Sequence, residues 1–155
     1  MPEENIYCEC MEEIKARLHL LAAFFSQGRT TGSEVTDIEF GCLQFRKVLE
    51  LIALASIAPS KEKYAEERKK FHEDWNPRRI FRDLERINAD FYPVPIRRGL
   101  SEDPKVKHYE PVLTGFLTKD DFETVYAECS GALHAKNPFG LVEICASCGK
   151  SFKDG

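Results

Sequence analysis

The sequence predicts an all-α fold: an antiparallel helical bundle of four to five main helices, with a proline-rich insertion before the last. Three observations predict it. Apolar residues recur at alternating spacings of three and four in separate segments, the pattern of one buried helix face. The link between the first two segments is short and polar, so those helices run antiparallel. The chain has 155 residues, 43% of them hydrophobic and 31% charged, the composition of one globular domain with its own core.

Tyr7, Met11, Ile14, Leu18, Leu21 and Phe25 form the first seam, on a helix expected from about Glu3 to Gln27 with Gly28 as its stop. In the link that follows, Thr31 with Glu34, or Thr36 with Glu39, offers a capping box. Ile38, Cys42, Phe45, Leu49 and Ile52 carry the second seam. From Val48 to Ala58 only Glu50 and Ser56 break the apolar run, which places this helix centrally, and Pro59 and Ser60 end it. Lys61 to Asp74 is strongly charged, with Tyr64 and Phe71 seven residues apart, and reads as a surface helix. Asn76 then caps and Pro77 takes the first position of a helix whose seam is Ile80, Leu84, Ile87 and Phe91.

Tyr92 to Leu117 holds Pro93, Pro95, Pro104 and Pro111 with Gly99 and Gly115, and cannot be a long helix. Val94 and Ile96 against Val112 and Leu113 suggest a short β ribbon; a lid or a partly disordered insertion is the alternative. Thr118 with Asp121 caps the last helix, about Lys119 to Ala135, which Pro138 stops. Residues 1–139 are thus expected to form the bundle, and 140–155 a tail carrying a Cys-x-x-Cys pair.

The net charge of −4 does not announce a nucleic-acid binder, and no apolar run approaches the roughly 18 residues that cross a bilayer. The acidic start, Met1-Pro2-Glu3-Glu4-Asn5, is followed by no signal segment, so the expectation is a soluble cytoplasmic protein. Its six cysteines are then expected as thiols, with Cys10, Cys42 and Cys129 acting as small core residues.

Four groups of residues carry the chemistry. Tyr126, Ser130, His134 and Asn137 fall along one edge of the last helix. A histidine there suits general acid–base work, or simply the negative end of a helix dipole. Arg46 and Glu50 lie four apart in an otherwise apolar helix and need partners, which they can be for each other. Arg78, Arg82 and Arg86 form a stripe, with Arg79 nearby and Arg97-Arg98 downstream, suited to phosphate or RNA or to a solvated face. Cys145 and Cys148 have the spacing of a zinc knuckle, and a zinc site would need two further ligands, for which Cys8 and Cys10 are the candidates. Those two point about 200° apart on a helix, so local unwinding would be required. No phosphate-binding glycine loop, HExxH motif or Ser/His/Asp arrangement is recognisable by spacing.

The run Gln44-Phe45-Arg46-Lys47-Val48-Leu49-Glu50-Leu51-Ile52-Ala53-Leu54-Ala55, with Tyr126, Cys129, Ser130, Leu133-His134-Ala135 and Asn137-Pro138, resembles the bacterial HEPN-like group of helical bundles. The resemblance spans about Glu34 to Phe139. It implies a bundle that often dimerises. It also implies, for active members, metal-independent ribonuclease chemistry in toxins or phage-defence effectors. Their signature is an arginine, about four to six residues, then a histidine. His134 matches the histidine; the arginine would stand at Ala127, Glu128 or Cys129. The expectation is therefore a catalytically degenerate module for nucleic-acid-related binding or interaction, in a defence or toxin–antitoxin setting, partnered by RNA, a second copy or another protein. An active ribonuclease using His134, with Arg46 standing in for the missing arginine, and a structural partner-binding bundle are the alternatives.

Overall fold

The computed structural model describes residues 3–67, 73, 75–100 and 105–135. It is mostly helical: α1 (Glu3–Ser26), α2 (Glu34–Ala55), a 3₁₀ turn (Ala58–Ser60), α3 (Lys61–Glu67), α4 (Pro77–Ile87) and α5 (Lys119–Ala132), with a two-stranded antiparallel ribbon of β1 (Ile96–Arg98) and β2 (Tyr109–Pro111) before α5. No described helix is long and apolar enough to cross a membrane.

Local chemistry sets the ends of these elements. Gly28 takes a left-handed φ of +61° and closes α1 with two bonds, its own N–H to Phe25 O and that of Arg29 to Phe24 O, the Schellman arrangement that glycine favours. The cap of α2 differs from expectation. Ser33 holds the extended N-cap conformation and accepts from Thr36 N, so neither the Thr31–Glu34 nor the Thr36–Glu39 box forms. Thr31 instead donates its N–H and hydroxyl to Asp37. Asn76 caps α4 ahead of Pro77, and Thr118 with Asp121 forms a complete capping box on α5, both as the sequence indicates.

α1 and α2 pack as an antiparallel hairpin. Ile14, Leu21 and Phe24 turn inward, with Phe24 against Phe40 at 4.6 Å, and Arg17 donates to Gln44 across the pair. The predicted seam is only half right: Tyr7, Leu18 and Phe25 stay largely exposed and Phe24 replaces Phe25. A strict three–four spacing drifts around a straight helix by about 20° per heptad, and a single neighbour covers a narrow stripe.

The core lies on the other side of α2. Leu49, Ala53, Ile57, Tyr64, Ile80, Phe81, Leu84, Phe91, Phe122 and Tyr126 form one buried cluster. Phe81 is its hub, with ring centroids of Phe122, Phe91 and Tyr92 at 4.6, 5.2 and 5.7 Å. Tyr64 is fully buried, so the segment read as a surface helix contributes to the core; Phe71 lies outside the described residues. Phe91 is no longer helical. α4 stops at Asn88, a turn follows in which Asp90 N bonds to Asn88 Oδ1, and Phe91 returns to the cluster.

The ribbon sits later in the first strand and earlier in the second than expected. Ile96 pairs with Pro111 and Arg98 with Tyr109, while Val94, Val112 and Leu113 fall outside the strands. Val112 still donates to Pro95 O, which extends the pairing by one bond. At the base of the ribbon the Tyr92 hydroxyl donates to Leu117 O and Thr118 O, tying this segment to the start of α5. Tyr7, Met11, Ile52, Tyr92, Pro95 and Phe116 help line an apolar cleft of about 300 Å³ between α1, α2 and this segment.

Candidate functional site

Among the described residues, Arg46 and Glu50 of one group meet Tyr126 of another across two helices. α2 and α5 run antiparallel: Phe122 joins Leu49 and Ala53 in the core, and Arg46, one turn earlier on α2, meets Tyr126, one turn later on α5. The Arg46 guanidinium lies over the Tyr126 ring, 5.2 Å from its centroid, a cation–π contact. Its Nε also donates to Glu50 Oε1 at 3.1 Å, while Lys47 approaches Glu50 Oε2 at 3.5 Å. The Arg46 and Glu50 side chains are only 22% and 15% exposed, so each is the partner that makes the other's burial tolerable.

The electrostatics agree with that geometry. Burial acts to lower the Arg46 pKa, but the Glu50 hydrogen bond and the Tyr126 and Glu50 charges outweigh it and the net shift is upward. The Tyr126 hydroxyl is pushed above its ordinary range, chiefly by burial and further by Glu50, while Arg46 and Arg78 oppose the rise. The charge of Arg78, the first arginine of the α4 stripe, is the smallest of these influences. Arg46, Glu50 and Tyr126 join α2 to α5, with one guanidinium over the aromatic ring.

The strip along α5 does not hold together as a polar edge. Tyr126 is buried and stacks on Phe122. Ser130 donates its hydroxyl to Tyr126 O at 2.7 Å, a bond within its own helix. His134 is exposed and lies just beyond Leu133, the C-cap, with its backbone N–H on Gly131 O. Asn137 lies outside the described residues.

On α4, Arg82 and Arg86 are exposed and share one carboxylate, Asp83, at 3.3 and 3.9 Å. Asp83, absent from the candidates the sequence offers, is buried at 8% exposure. The missed signal was its position next to Leu84, on the edge of the buried face. Arg97 is paired with Glu110 across the ribbon.

Among the described cysteines only Cys129 is buried; Cys10 and Cys42 are half-buried, less enclosed than core residues, and Cys8 is exposed. Cys8 and Cys10 both lie in regular helix, without the unwinding that joint ligation would need. Cys145 and Cys148 lie outside the described residues, and among the described residues no three His, Cys, Asp or Glu side chains are grouped to hold a metal ion. Compared with known proteins, the chain matches no family model, no curated protein and no solved structure.

Proposed function

We propose that this chain is a catalytically degenerate, HEPN-like binding module that contacts the phosphate backbone of RNA, in a bacterial defence or toxin–antitoxin setting. The observation that carries the reading is the Arg46 guanidinium over Tyr126, beside a helix, α4, that carries Arg78, Arg82 and Arg86. Arginine forks match phosphate oxygens. The degenerate part rests on chemistry: Arg46 is held by Glu50, Ser130 spends its proton on a backbone carbonyl, and His134 stands off the helix end.

Fluorescence anisotropy with a labelled single-stranded RNA tests the reading. Arg46→Ala and Arg78→Ala should each weaken binding by about tenfold and reduce the salt dependence by about one ion. The RNA should stay intact with or without EDTA. Unchanged affinity in both variants overturns the site; cleavage abolished by His134→Ala overturns the degeneracy.

A second reading, a partner-binding bundle that pairs with its own copy, is favoured by the hairpin's outer strip. Leu18 and Phe25 on α1 and Ile38 and Phe45 on α2 are 42–55% exposed. Phe25 lies against Gly41, which shares a helix face with Ile38 and Phe45, so the four form one apolar stripe.

A further inference from the structure

One turn from the Arg46–Tyr126 contact, two thiols meet. The antiparallel register fixed by that contact sets Cys42, four residues back on α2, opposite Cys129, three residues on along α5. Cys42 lies near enough to raise the pKa of the Cys129 thiol. Both are free thiols, and they differ in access: Cys129 is buried and Cys42 is half-buried. A small reagent can reach one member of the pair and must be resolved by the other.

We propose that Cys42 and Cys129 form a thiol-modification site, in which a small disulfide of the glutathione type thiolates Cys42 and Cys129 resolves it into a bridge between α2 and α5. In the first step the Cys42 thiolate attacks one sulfur of the reagent. The reagent's S–S bond breaks, a mixed disulfide forms and one small thiolate leaves. In the second, Cys129 gives its proton to solvent and attacks the Cys42 sulfur, and the second small thiolate leaves. Two electrons pass from the protein thiols to the reagent, and the two leaving thiolates take up the two protons.

The two steps have different pH behaviour. The Cys129 thiol is pushed up to about 11, chiefly by burial, then by the charge and hydrogen bond of Cys42 and by Glu128, with Arg46 opposing. Burial still holds the Cys129 thiol protonated after Cys42 is thiolated, so resolution is slow at neutral pH and quickens as pH rises. The order of events is set by structure: Cys42 supplies access, Cys129 supplies the slow step. This site stands whether or not the Arg46–Tyr126 cluster binds phosphate.

The test uses the full chain and glutathione disulfide at pH 7.5 and pH 9. Remaining thiols are alkylated under denaturing conditions and the disulfide-linked peptides mapped by mass spectrometry. The expected product links Cys42 to Cys129, forms faster at pH 9 and is reversed by dithiothreitol. A bridge enclosing so long a loop should raise the melting temperature by on the order of 10 °C. Cys129→Ala should stop the reaction at the mixed disulfide on Cys42, and Cys42→Ala should leave Cys129 unmodified. If the wild-type map shows both residues alkylated after the other cysteines have reacted, or pairs either with another cysteine, the proposal is wrong. That map does not depend on whether the variants fold.

Discussion

Arg46 on α2 lies over the ring of Tyr126 on α5 while its Nε holds Glu50, so one guanidinium joins an intrahelical ion pair to an interhelical aromatic contact. The two bonds are mutually supporting, because Glu50 fixes the side chain that Tyr126 receives. Arg46→Ala should cost about 1–3 kcal/mol in urea denaturation, since it leaves Glu50 with Lys47 alone. Adding Glu50→Gln should cost less than the sum of the single changes. Strict additivity would mean that the two side chains act independently.

Phe81 touches two other rings of the buried cluster, Phe91 and Phe122, and that of Tyr92 packed against it, and is 1% exposed. Phe81→Ala should destabilise the fold by about 3–5 kcal/mol, and Phe81→Leu by clearly less. A loss below about 1 kcal/mol for the alanine variant would remove Phe81 from the centre of the core.

Thr118→Ala should cost about 1 kcal/mol, since Thr118 accepts from Asp121 N and completes the capping box. The Thr118 hydroxyl and N–H hold the Asp121 carboxylate below its ordinary 3.8. A depressed folded value means that this contribution is complete above 3.8 and is lost as pH falls through the folded value. Acid titration of stability should show that loss in the wild type, and Asp121→Asn should flatten it.

Tyr92 works at the other end of the pH scale. Its hydroxyl is pushed from 10.0 up to about 12, mainly by burial, with the Asp121 charge adding to it. The neutral phenol is the form that bonds Leu117 O and Thr118 O, so its contribution is complete below 10 and falls as pH rises toward 12. Tyr92→Phe should remove that alkaline loss, at a cost in stability near neutral pH of about 1 kcal/mol.

The exposed stripe of Leu18, Phe25, Ile38 and Phe45 should report on association. Light scattering at micromolar concentration is expected to give a dimer, and Phe45→Glu a monomer of unchanged helicity. A monomeric wild type would leave the stripe to a different protein.

What was legible in the sequence follows from how local each signal is. Caps such as Asn76 and Thr118 act within three residues, and both are where the sequence puts them. The identity of the buried face is less local. Leu18 and Phe25 fit a helical seam as well as Ile14 does, but α1 packs on α2 and the 3₁₀ turn, and burial stops short of them. Tyr64 reads as surface because its neighbours are charged, and it is the packing of α3 into the core cluster beside α4 that buries it. The candidate site shows the same limit. Arg46 and Glu50 are readable as a pair because they share a helix face. Their meeting with Tyr126, some 80 residues on, depends on the α2–α5 register, which no local spacing carries.

The cleft beside α1 has a consequence for how the molecule opens. α1 rests on α2 and the 3₁₀ turn, contributes nothing to the ten-residue buried cluster, and is parted from the proline-rich segment by that cleft. It can therefore peel away while Phe81 and its neighbours stay packed. Amide hydrogen exchange should divide the chain accordingly, with α1 protons exchanging through a partial opening of lower free energy and those of α4 and α5 only on global unfolding. The first helix is a latch on a body that closes without it.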